Sequence, residues 1–134
     1  MVDVVITASD VDKVSGSQRT NEAGIAITAG QTVYLDAAGL VQLCQNDLTA
    51  VEGACVGISL NDAGVGQPCT YQVSGVIDLG SVLAAGVQYI VGAAAGAVAP
   101  VADIASTEFL TSLGVGISTT ELQIGINQSG VAAA

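Results

Sequence analysis

Few side chains in this sequence could perform chemistry. Histidine is absent, so the side chain that most often acts as a general base is missing. The only lysine, Lys13, lies in a polar stretch without the apolar surroundings that turn a lysine into a nucleophile. No serine stands beside a residue that could activate it. We therefore expect a protein that is not an enzyme and that needs no cofactor.

Metal and phosphate sites have equally little support in the sequence. Asp10 and Asp12 alternate and could hold a calcium ion together with backbone carbonyls, but such a pair in a polar loop is more often simply solvated. The glycine-rich stretches 64–67 and 92–96 do not lead into a helix that carries a lysine, as a phosphate-binding loop would. We expect no metal or phosphate ligand.

The three cysteines, Cys44, Cys55 and Cys69, are an odd number and lack the CxxC spacing of zinc or redox motifs. We expect all three to be small buried hydrophobic residues. A disulfide between Cys44 and Cys55, across the loop that separates them, is the main alternative.

The composition constrains both the core and the partners. The sequence is 51% hydrophobic but only 3% aromatic, which predicts a thin core of small side chains that gains from burial against partner subunits. Because the surface is also poorly charged, we expect copies of the chain to pack against one another. The net charge of −10 excludes nucleic acid as a partner, since binding to phosphates depends on Lys and Arg. The uncharged window 79–102 is long enough for a membrane helix, but its glycines, Pro100 and valines favour strands, so we expect no membrane contact. The first ten residues, MVDVVITASD, lack a basic leader, so we expect no signal peptide.

Similar sequences recur in the same order along the chain, which is how a duplicated unit shows itself. Ala29 and Ala85 open similar segments 56 residues apart, VGIS recurs at 56–59 and 115–118, and SGV recurs at 74–76 and 129–131. These matches predict two similar β-units over residues 25–76 and 82–131.

Short apolar runs between glycine turns predict an all-β fold, a compact barrel or sandwich over residues 24–134. We expect a strand over 24–28, hairpins around 37–39 and 92–96, and a single helical turn over 47–52 capped by Asn46. Residues 10–22 have too few apolar positions to fold alone, so we expect an extended N-terminal arm over residues 1–23.

The run AGVQYIVGAAAGAVAPVADIAS, followed by LGVGIS and INQSGVA, resembles the small head decoration (capsid cement) proteins of tailed bacteriophages. The stretch VGISLNDAGVGQPCTYQVSGVIDLG is similar to the same pattern, and the resemblance covers about residues 24–132. It implies a structural virion protein, made in the host cytoplasm, that sits as a trimer on the capsid exterior and clamps the major capsid protein. A trimeric phage fibre or receptor-binding module is the alternative function.

The arm holds both basic side chains of the chain, while the body is acidic. We therefore expect the arm to reach an adjacent capsid subunit, where it could add a strand to a sheet edge. The candidate capsid contacts are Lys13, Ser15, Ser17, Gln18 and Arg19.

Overall fold

The structure is a computed structural model that describes residues 6–44, 55–92, 96–100 and 109–132, without the side chains of 109–111 and 127–132. Within these ranges the chain is nearly all β, with one 3-10 turn at Ala8–Asp10. Two antiparallel sheets of six and five strands, neither of them closed, confirm the all-β prediction and are consistent with a β sandwich.

The six-stranded sheet has the order β1-β7-β11-β10-β8-β9, and the five-stranded sheet has the order β2-β6-β5-β3-β4. The strands are β1 (Asp12–Ser15), β2 (Gln18–Glu22), β3 (Thr32–Leu35), β4 (Val41–Leu43), β5 (Gly57–Ser59), β6 (Pro68–Gln72), β7 (Gly75–Asp78), β8 (Gln88–Val91), β9 (Val98–Pro100), β10 (Phe109–Gly116) and β11 (Glu121–Ala132).

The two sheets repeat one arrangement of five strands. The order β2-β6-β5-β3-β4 corresponds, strand for strand, to β7-β11-β10-β8-β9. The pairing register repeats as well: Val33 lies opposite Gly57 and Leu43 in one sheet, as Tyr89 lies opposite Gly114 and Pro100 in the other. The six-stranded sheet differs by one added strand, β1, which pairs with β7.

This register also shows which sequence matches coincide with structural positions. The segments that begin at Ala29 and Ala85 lead into the corresponding strands β3 and β8. The two VGIS motifs lie in the corresponding region of β5 and β10 but are shifted by two residues, since Gly57 corresponds to Gly114. The SGV motifs are not equivalent, because Ser74 lies between two strands and residue 129 lies inside β11.

Residues 12–22 are not the free arm that the sequence predicts. β1 pairs with β7 and β2 pairs with β6, so this segment is the outermost strand of each sheet in turn. Its side chains are nearly all exposed, which agrees with their polar character. Composition indicated an arm because it reports on side-chain burial, whereas an edge strand is held mainly by backbone hydrogen bonds that any sequence can form.

The main core contains buried side chains from both sheets, among them Ile58 from the five-stranded sheet and Ile77, Leu113 and Leu122 from the six-stranded sheet. A smaller cluster around Tyr71 belongs to the five-stranded sheet and the segments beside it. Both clusters consist mostly of Ala, Val, Ile, Leu and Cys, as the aromatic-poor composition predicts.

Both predicted hairpins are present, β3–β4 around 37–39 and β8–β9 around 92–96. The predicted strand over 24–28 is wrong. The backbone of this segment forms isolated hydrogen bonds with two different neighbours: Gly24 donates to Val41, and Ile27 forms a single bridge with Ala63. The helical turn predicted over 47–52 lies outside the described residues. Among the described residues, no helix is long and apolar enough to span a membrane.

Candidate interaction edge

The outer side of β1 and β2, facing away from β7 and β6, is a strand edge that we call the exposed edge. No described strand pairs with it, although Ala23, just beyond β2, forms a single bridge with Val41 of β4. It runs along residues 12–22 and borders both sheets, because β1 and β2 are separated by only Gly16 and Ser17. The opposite side pairs with residues 68–78 in a nearly continuous antiparallel register from Glu22↔Pro68 to Asp12↔Asp78, with one irregularity near Lys13 and Ser15.

The junction between β1 and β2 depends on a very close approach of two backbones. Gly16 and Gly75 both have positive φ, at 106° and 88°. A Cβ atom on Gly16 would overlap the Ser74 carbonyl oxygen, and a Cβ on Gly75 would overlap the Ser15 carbonyl oxygen. Glycine at both positions is needed for these two paired segments of the chain to pass from one sheet to the other at this point.

Gln72 holds this junction from inside the protein. Its side chain is fully buried, and its Nε2 donates to the carbonyl oxygens of Ser15 (2.6 Å), Ser74 (2.8 Å) and Val76 (3.0 Å). One amide group thus binds the end of β1, the β6–β7 connection and β7. Its Oε1 has no hydrogen-bond partner among the described residues, where Nε2 alone accounts for the hydrogen bonding of this side chain.

Further along, side-chain contacts fasten β2 to β6. The hydroxyls of Thr20 and Thr70 are 3.0 Å apart, and the Tyr71 hydroxyl donates to Asn21 Oδ1 at 2.7 Å. Burial raises the pKa of Tyr71, and the Arg19 charge opposite it lowers this pKa in part. The backbone of the exposed edge is therefore fixed by contacts on its inner side, which leaves its outer side available.

The exposed edge differs in charge from the rest of the molecule. It contains Asp12, Lys13, Arg19 and Glu22, so it has no net charge, whereas the remainder of the sequence holds ten acidic side chains and no basic one. Lys13 Nζ donates to Gln18 Oε1 at 3.3 Å across the junction. Both cations of the protein are thus displayed on one exposed strip, which suits an anionic partner more than any other described part of the surface does.

The comparisons assign no family. No protein-family model matches the sequence, and a search of curated proteins finds no match either. The functional argument therefore rests on the geometry of this edge and on the residue pattern of the chain.

The structure brings the five candidate contact residues together on the exposed edge. Lys13 and Ser15 lie in β1, Ser17 lies in the junction, and Gln18 and Arg19 lie in β2, all with exposed side chains. Sequence reasoning missed the residues that hold this strip, above all Gln72. The sequence VSG, which occurs at both 14–16 and 73–75, is the signal that could have pointed to the paired junction.

The other candidate sites do not assemble. Among the described residues, no group of three or more His, Cys, Asp or Glu side chains could hold a metal ion. Cys44, Cys55 and Cys69 are all buried and unpaired, which confirms their role as small core residues. Burial raises the pKa of the Cys69 thiol, and burial together with the neighbouring Cys55 thiol raises that of Cys44, so both thiols are held in the unreactive protonated form.

Proposed function

We propose that this protein is a non-enzymatic structural component of a phage virion, which binds the outside of the capsid through the exposed edge and stabilises the head lattice. The observation that carries the proposal is the exposed edge itself: an ordered strand of 12–22 with exposed side chains that displays both cations of an otherwise acidic protein. The residue pattern that resembles capsid cement proteins supports the choice of partner, the major capsid protein.

The proposed assembly is a homotrimer on the capsid exterior, formed after synthesis in the host cytoplasm. Three exposed edges in one trimer would act together, so weak individual contacts would give tight attachment through effective concentration. The core of small side chains supports this assembly, because burial against partner subunits would add to its stability.

Co-sedimentation with expanded, empty heads of the phage that encodes this chain tests the proposal. Wild-type protein should bind the heads, and Lys13→Gln with Arg19→Gln should weaken binding, most strongly at low salt. The matched control is Thr119→Glu with Gln123→Glu, which makes the same change in net charge at one exposed position in the β10–β11 connection and one in β11.

The control protein should bind like wild type. Equal loss in both double variants would show that only net charge matters and would remove the role of the exposed edge. Binding of wild type to host cells and not to heads would support the fibre or receptor-binding alternative. Sedimentation as a monomer at micromolar concentration would refute the trimer.

A further inference from the structure

The repeated arrangement of the two sheets identifies a vacant strand position. In the five-stranded sheet β2 is the last strand, and its counterpart in the other sheet is β7. The outer side of β7 is covered by β1, whereas no described strand pairs with the outer side of β2 along residues 18–21; beyond them, Ala23 forms a parallel bridge with Val41 of β4. The six-stranded sheet thus shows that a further strand can lie beside the strand that corresponds to β2.

The backbone groups that such a strand would bind can be assigned. Ala23 N donates to Gln67 O, and Val73 N donates to Ser17 O, so residues 17 and 23 direct their backbone groups towards the β6 side. Backbone direction alternates along an antiparallel strand, which places the groups of Arg19 and Asn21 on the inner side as well. The N–H and C=O groups of residues 18, 20 and 22 therefore point outwards. Those of 18 and 20 are available to an added strand, whereas residue 22 adjoins the bridge between Ala23 and Val41.

The way β1 pairs with β7 indicates the chemistry of the occupant. β1 is antiparallel to β7, and Lys13 lies opposite Ile77. Ile77 pairs with Leu122 in β11, and Arg19 pairs with Tyr71 in β6. Because Leu122 and Tyr71 hold corresponding positions, Arg19 is the counterpart of Ile77 in the five-stranded sheet. A strand at the vacant position that carried a cation opposite Arg19 would be repelled, and one with a carboxylate there would be attracted.

We infer that the outer edge of β2 accepts one extended, acidic segment of a capsid subunit as an antiparallel sixth strand, with a carboxylate opposite Arg19. The inference rests on the proposed function for the identity of the partner. It reverses the direction of the contact expected from the sequence, because this protein provides the sheet and the capsid provides the strand.

The variant Thr20→Pro tests the inference directly. Proline removes the outward N–H of residue 20 and leaves the inner ladder intact, and edge strands tolerate proline at such positions. The control Thr20→Ala loses the same hydroxyl contact with Thr70 but keeps the N–H. We expect Thr20→Ala to bind heads like wild type and Thr20→Pro to lose at least about tenfold in affinity.

Hydrogen exchange on the wild-type protein gives a second readout that needs no variant. The amides of Gln18 and Thr20 should exchange quickly in the free protein and become protected on heads. The amides of Arg19 and Asn21 should be protected in both states. If Thr20→Pro does not fold, this contrast alone decides the matter.

Equal head binding by Thr20→Pro and Thr20→Ala, or unprotected outward amides on heads, would overturn the strand-acceptor inference and leave the proposed function standing. Wild-type protein that does not bind heads would overturn the proposed function and the named partner together. Loss of binding in Thr20→Pro alone, with protection of the outward amides, would support both.

Discussion

Replacing Gln72 should destabilise the protein far more than replacing its counterpart Gln123. The two glutamines hold the same place in the two sheets, since Gln72 lies opposite Ile58 and Gln123 lies opposite Val115. Gln72 is fully buried, whereas Gln123 is exposed. Replacing each glutamine in turn therefore separates the contribution of the buried amide to stability from the effect of removing a glutamine at this strand position.

The expected magnitude follows from the hydrogen bonds of Gln72. Its Nε2 carries two hydrogens and faces three carbonyl oxygens, so methionine, of similar size, would remove two bonds. A buried carbonyl left without its donor costs about 1–3 kcal/mol, and removal of the unpartnered Oε1 offsets part of the total. Gln72→Met should therefore lower the free energy of unfolding by about 2–4 kcal/mol. Gln123→Met should change it by less than about 0.5 kcal/mol, as is usual at an exposed position.

Urea denaturation of both variants and wild type measures these differences. The slope of the free energy against urea should stay constant, so that a shift in midpoint reports stability alone. Similar stabilities of the two variants, or a loss of less than about 0.5 kcal/mol for Gln72→Met, would refute the view that this amide holds the junction.

Gln72→Glu extends the test to pH. A carboxylate at this position would be buried against three carbonyl oxygens, so its pKa in the folded protein should rise above the unfolded value of about 4.3. A raised folded pKa gives stability that is complete below the unfolded pKa and is lost as pH rises through the folded pKa. Relative to wild type, the variant should therefore be least impaired in acid and should weaken towards neutral pH, and a pH-independent difference would contradict this account.

Three further predictions concern contacts around the edge and one hairpin. Tyr71→Phe removes the 2.7 Å bond to Asn21 and should cost about 1 kcal/mol in urea unfolding. Hydrogen bonds from the backbone of Leu40, and then from the side chain of Gln42, lower the pKa of Asp36, so its contribution to stability is present above the unfolded pKa and is lost as pH falls through the folded pKa. Asp36→Asn should therefore flatten the acid limb of a plot of stability against pH. Gly16→Ala should lower the free energy of unfolding by more than Gly39→Ala does. A Cβ on Gly39 meets no other atom, so that variant should lose only about 1–2 kcal/mol for its positive φ. Equal losses in the two variants would mean that the backbone at the junction can move to accept a Cβ.

The sequence by itself determined the class of fold and much of its local structure. Short runs rich in Val and Ile between glycine turns allow strands and little else, which is why the hairpins around 37–39 and 92–96 could be placed. The polar character of 12–22 agrees with its exposed side chains, and the sequence alone shows that both basic residues, Lys13 and Arg19, lie in this segment. These properties depend on side chains and nearest neighbours along the chain.

Only the tertiary structure decided where the backbone of 12–22 lies and what holds it. Strand pairing joins residues far apart in sequence through backbone groups that are the same in every residue type, so composition could not tell an edge strand from a free arm. For the same reason nothing local distinguishes Gln72 from Gln123, although one is buried beneath a crossing of two backbones and the other faces solvent. The added strand β1, which covers one of two corresponding edges and leaves the other open, is likewise a property of long-range pairing alone.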